Sequence, residues 1–198
     1  MKKKIAVLAC AWSTYFVKDF INGMLRATKD RNIDLYLFCA YNYTEYSGYL
    51  NYTGFSIFNL IHYEDFDGVI VLSDLIGNVR ILEKERQKIL KAGKPAITIN
   101  KPLNNLSCIR VDNYTGLYQM MEHLIKVHNI TDFAYVAGKE TSVDIAERYK
   151  AYRCALKDNN LDIKQEKIFS IESCDYHCAV SFFNRFFEEK RQIGRAHV

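Results

Sequence analysis

Apolar residues in this chain fall into short continuous runs separated by longer stretches in which they recur every three or four positions. The first run, KIAVLA at residues 4–9, predicts a buried strand. Phe16, Phe20, Ile21, Met24 and Leu25 then follow at helical spacing, with Ser13 or Thr14 placed to cap that helix. IDLYLFCAY predicts a second strand, GVIVLS a third and PAITIN a fourth. A charged helix from Ile81 to Leu90 separates the last two and ends at Gly93 and Pro95. NYTEYSGYLNYTG reads as a loop, and FSIFNLIHYEDF after it as a short helix.

KPLNNLS interrupts this rhythm, and CIRVD opens a second series. Its helix carries Leu117, Met120, Met121, Leu124 and Ile125 on one face; the strand DFAYVAG, a helix over about 143–156, the strand KIFSIE and a helix around 178–190 follow. Strand alternating with helix predicts an α/β fold of βαβ units with parallel sheets flanked by helices. The break near Lys101 to Ser107 predicts two lobes, 1–103 and 104–192.

At 198 residues, 49% hydrophobic and 25% charged, the chain can bury a sizeable core. Its formal charge of +4 is mild, and only Lys2, Lys3 and Lys4 form a basic run, so direct nucleic-acid contact is not expected. The six cysteines lack framework spacing and read as reduced thiols of a cytoplasmic protein. Cys174, His177 and Cys178 cluster without a second ligand pair and read as loop and helix-start residues; no metal is expected. His62, His123, His128 and His177 share no spacing and read as partly buried polar residues. The apolar stretch after Lys4 is too short for a secretion signal, and no run approaches a membrane span. Residues 193–198, IGRAHV, match the one-frame translation of a widely used sequencing adapter and are expected to be foreign to the protein.

No Gly-x-Gly-x-x-Gly follows the first strand, and there is no phosphate-binding lysine loop, Gly-x-Ser-x-Gly or His-Glu-x-x-His. Nucleotide-dependent or hydrolytic catalysis is therefore not expected, nor is a cofactor. Ligands of open α/β sheets bind outside the carboxyl ends of the strands. There the sequence places Trp12, Ser13, Thr14, Tyr15, Ser73, Asp74, Asn100, Lys101, Asp112 and Asn113. Hydroxyl, amide and carboxylate groups beside an aromatic ring suit a small polyol. The same residue types also cap helices and stabilise turns. Arg148, early in its helix, offers either a guanidinium fork to a ligand or a partner to Asp144.

IRVDNYTGLYQMMEHLIKVHNITDFAYVAG followed by AERYKAYRCAL resembles the effector-binding domain of LacI/GalR-type regulators, which is similar to the type 1 periplasmic sugar-binding proteins. The matching residues are Val111, Asp112, Asn113, Gly116, His123, Leu124, His128, Gly138, Ala146, Arg148, Tyr152, Ala155 and Leu156, and YFVKDFINGM and DFDGVIVLSD extend the likeness over residues 4 to about 190. The resemblance implies two lobes closing over a small molecule, a sugar or nucleoside, with Arg148 and the loop after the first strand as contacts. It also implies a non-enzymatic sensor that pairs as a homodimer when full length. Val127 and Ala151 stand where the family usually has glycine, and Lys101 with Pro102 occupies a region that often offers a carboxylate. A chain opening on the sensor lobe is similar to the input halves of GGDEF-type diguanylate cyclases, which is the function expected here; the alternative is a LacI-type transcriptional regulator. The second lobe reads as incomplete, and its open sheet edges predict poor stability in isolation.

Overall fold

The computed structural model describes residues 2–12, 14–40, 54–138, 143–171 and 176–195. The expected loop over 42–54 lies, apart from Gly54, outside the described residues. The chain divides into two units, Met1–Val111 and Asp112–Val198.

The first unit is a five-stranded parallel sheet in the order β2-β1-β3-β4-β5: β1 Lys3–Cys10, β2 Ile33–Ala40, β3 Gly68–Val71, β4 Ala96–Ile99 and β5 Ser107–Ile109. Ala6, Val7, Leu8, Ala9 and Cys10 are all 0–1% exposed, which is why the sequence of β1 shows a continuous apolar run instead of alternation. Among the described residues, two α-helices flank the strands. Helix α1, Tyr15–Thr28, starts where the Val17 N–H donates to Thr14 Oγ1. Helix α2, Val79–Ala92, starts at Asn78, whose side chain accepts from the N–H groups of Arg80 and Ile81. It stops at Gly93, whose φ of 64° lets its N–H reach back to Leu90.

The short helix expected over residues 55–66 is two 3-10 turns, Ser56–Leu60 and Tyr63–Asp65, separated by extended backbone at Ile61 and His62. The break lets Phe58, Ile61 and Tyr63 all enter the core, which one regular helix could not do. Tyr63 donates its hydroxyl to Glu85 Oε2 at 2.8 Å, and Lys88 Nζ meets the other oxygen at 2.9 Å, so the buried carboxylate of α2 is paired on both sides. Burial, then the Glu85 charge, pushes the Tyr63 phenol well above its ordinary range.

The strand from the CIRVD segment, assigned by sequence to the second series, belongs to the first sheet. Ile97, Thr98 and Ile99 pair with Ser107, Cys108 and Ile109, and the units divide at Val111/Asp112 rather than at 103/104. The linking segment turns tightly through Asn100 and Asn105, both at positive φ (64° and 62°).

In the second unit, α3 Asn113–Lys126 packs on α4 Val143–Asp158 around Met121, Tyr152, Ala155 and Leu156. Strands β6 Tyr135–Gly138 and β7 Ile168–Ile171 pair in parallel. Helix α5, Tyr176–Arg195, sets Phe182 and Phe186 against Phe169 at ring-centroid distances of 5.3 Å. Among the described residues, no helix is long and apolar enough to cross a membrane.

Candidate functional site

In the first unit the candidate residues gather at the carboxyl ends of β1, β3 and β4. The chain leaves β1 through Ala11 at φ 56°. Trp12 is 55% exposed, with Lys18 Nζ 5.8 Å from its ring centre, and Tyr15 is 87% exposed. Thr14 is occupied locally: its hydroxyl donates to Ala11 O at 3.0 Å while accepting the α1 cap bond. Ser13 lies outside the described residues.

Ser73 is 0% exposed, and its hydroxyl faces two backbone carbonyls, Lys101 O at 2.5 Å and Ile99 O at 3.0 Å. Its hydrogen is spent within the fold, on the turn that follows β4. In that turn Lys101 N–H donates to Ile99 O at 2.8 Å across Asn100, a three-residue turn with Asn100 at positive φ. Asn100 N–H donates to Ile109 O at 2.9 Å, so the backbone is anchored on β5 while the amide side chain stays half-buried. Asp74 is exposed beside Ser73.

In the second unit Asp112 caps α3, accepting from Thr115 N–H at 2.8 Å. That backbone bond, and then the Thr115 hydroxyl, hold its carboxyl below the ordinary aspartate range. The next residue, Asn113, is 5% exposed, and its Oδ1 accepts from Arg148 Nε at 2.7 Å. The two are 35 positions apart in sequence, joined because α3 and α4 pack together. The open choice for Arg148 thus acquires a specific partner in Asn113. Only Nε is used; neither terminal nitrogen of the guanidinium has a partner among the described residues.

The structure therefore brings Trp12, Thr14, Ser73, Asp74 and Asn100 to one edge of the first sheet, and Asp112, Asn113 and Arg148 to one end of α3. Lys18 over Trp12 and Lys150 over Tyr114, 5.7 Å from the ring centre, were not singled out by sequence. The six-residue step from Trp12 to Lys18 gives no periodic signal, and the Lys150 contact joins two helices. The histidines depart from expectation: His62, His123, His128 and His177 are all exposed. Among the described residues no three metal-binding side chains converge, and none of the five described cysteines forms a disulfide.

No protein-family model matches the chain, and no curated protein is significantly similar to it. Solved structures do match. The transcription regulator CcpA of Lactococcus lactis is 15% identical, with a TM-score of 0.66 over 96% of this chain and 65% of its own. A periplasmic ribose ABC transporter protein from Conexibacter woesei is 15% identical, with a TM-score of 0.70 over 95% of this chain and 61% of its own. The fold is periplasmic-binding-protein-like. The regulator CelR, solved as a cellobiose complex, matches this periplasmic-binding-protein-like chain at 20% identity with a TM-score of 0.63, over 91% of this chain and 54% of its own. The chain thus spans 54–65% of the length of these three solved chains.

Proposed function

We propose that this chain is the effector-binding part of a LacI-type transcriptional regulator and that its effector is a small hydroxylated molecule, a sugar or nucleoside. The observation that carries the reading is the Arg148–Asn113 pair. A guanidinium anchored through Nε at 2.7 Å keeps its two-pronged end free for adjacent hydroxyl or carboxylate oxygens. In the first unit, taken by itself, Trp12 and Tyr15 expose aromatic faces of the kind that cover the apolar side of a sugar. The fold match to regulators, one of them solved with cellobiose, favours this reading over the input half of a diguanylate cyclase, for which these comparisons offer no support. Ligand binding would act by shifting the population of conformations that the rest of the regulator reads.

Isothermal calorimetry against a panel of mono- and disaccharides and nucleosides tests the reading, with Arg148→Ala as the control. A charge-assisted hydrogen bond contributes about 1.5–3 kcal/mol, so the substitution should weaken the binding of the ligand found by roughly tenfold to a hundredfold. Unchanged affinity in Arg148→Ala would remove Arg148 from the site.

A further inference from the structure

At the carboxyl end of α3, His123 and His128 form a pair that the proposed effector site does not use. Their Nε2 atoms are 3.1 Å apart, and the rings meet edge to face with centroids 4.8 Å apart. Backbone geometry holds them there. Val127 N–H donates to His123 O at 2.9 Å, and Asn129, at φ 54°, turns the chain so that Ile130 N–H reaches Leu124 O at 3.1 Å. His128 is thereby folded back over the last turn of the helix that carries His123. From this juxtaposition we propose that His123 and His128 form a two-imidazole site for a first-row transition-metal ion.

Two nitrogens 3.1 Å apart fit one ion. With metal–nitrogen bonds of about 2.0–2.1 Å, they subtend about 100° at the metal, between the octahedral and tetrahedral angles. Imidazole suits nickel, copper and zinc. In the metal-free pair one Nε2 carries the shared hydrogen and the other accepts it. Metal binding needs both Nε2 atoms bare, so the donor ring moves its proton to Nδ1 and both rings remain neutral. Both histidines are exposed, which leaves the remaining coordination positions to water. Glu122, next in sequence to His123, is engaged by Lys126 Nζ at 2.5 Å and Asn159 Nδ2 at 2.9 Å, and is not counted as a ligand.

The probe is Ni²⁺, chosen because the chain also carries thiols, which zinc and copper seek. Calorimetric titration of the full chain should show saturable binding of one Ni²⁺ that is lost in both His123→Asn and His128→Asn and kept in His177→Asn. Circular dichroism checks that each variant is folded. Equal binding by the wild type and either variant overturns the site, and so does loss in one variant alone, because that would mark a single-imidazole contact. A measurement free of substitutions gives a second test: substoichiometric Ni²⁺ should broaden the ring signals of His123 and His128 before those of His62 and His177 in proton NMR. Broadening centred on the other histidines refutes the proposal.

Discussion

Replacing Ser73 with alanine separates a ligand contact from a structural clamp. The hydroxyl lies at 0% exposure between Ile99 O and Lys101 O, at 3.0 and 2.5 Å. Ile99 O keeps the N–H of Lys101 when the hydroxyl is removed, whereas Lys101 O keeps no donor among the described residues. The substitution takes away a single oxygen atom, so the cavity cost is small. The loss is one buried hydrogen bond plus one unsatisfied carbonyl, about 1–3 kcal/mol in all. Trp12 is the only tryptophan and lies in the same unit, so its fluorescence follows that unit's unfolding in urea. For a slope near 2 kcal/mol/M, a loss of about 2 kcal/mol lowers the midpoint by about 1 M with the slope unchanged. A midpoint shift under about 0.2 M, accompanied by weakened binding of the ligand found in the calorimetric panel, would refute this reasoning and return Ser73 to the ligand site.

Tyr63→Phe keeps the buried ring but removes the donor to Glu85, and should cost about 2 kcal/mol in the same urea assay. The Tyr63 phenol has a raised folded-state pKa, so its contribution is complete below its ordinary value near 10 and declines as pH rises above that; the wild type should lose its advantage over Tyr63→Phe in alkaline unfolding curves. Gly93→Ala should cost about 1 kcal/mol by thermal unfolding: its φ is 64° and an added Cβ would meet nothing within 4 Å, so the cost is conformational, and Gly93→Asn should recover part of it. Asn113→Ala should weaken effector binding less than Arg148→Ala does, and in a double-mutant cycle the two losses should fall short of adding; strict additivity would show that Asn113 does not position Arg148.

The strands were legible because each is an apolar run of characteristic length, and the helices because their apolar residues recur at helical spacing. KIAVLA lies within β1, and IDLYLFCAY, GVIVLS and PAITIN contain β2, β3 and β4. Pairing is a non-local property, and there the sequence was silent. Nothing within CIRVD says that Ser107, Cys108 and Ile109 will line up beside Ile97, Thr98 and Ile99. The break at Ile61 and His62 was hidden for a related reason, since it is imposed by where Phe58 and Tyr63 must pack. At the candidate site, residue type predicted polarity but not direction. Ser73 and Asn100 both sit after strands, yet one hydroxyl turns inward to clamp a backbone turn while the neighbouring Asp74 faces solvent.

The second unit shows how a local cap and a long-range contact can combine to position one side chain, Arg148. Asp112 fixes the start of α3 by accepting from Thr115 N–H, which sets the position of Asn113 at its first residue. Asn113 is 5% exposed, so its amide cannot swing freely, and its oxygen holds Arg148 at the Nε position. Arginine is the residue type that suits such a mount, because Nε can be anchored while the planar fork beyond it stays oriented. Lysine has one charged terminus and could satisfy Asn113 or a ligand, but not both in a fixed plane. A guanidinium held in this way has already lost much of its rotational freedom before a ligand arrives, so less of each new hydrogen bond is spent on ordering it. Asp112, Asn113 and Arg148 therefore form one positioning unit, in which the first two residues set the place of the guanidinium.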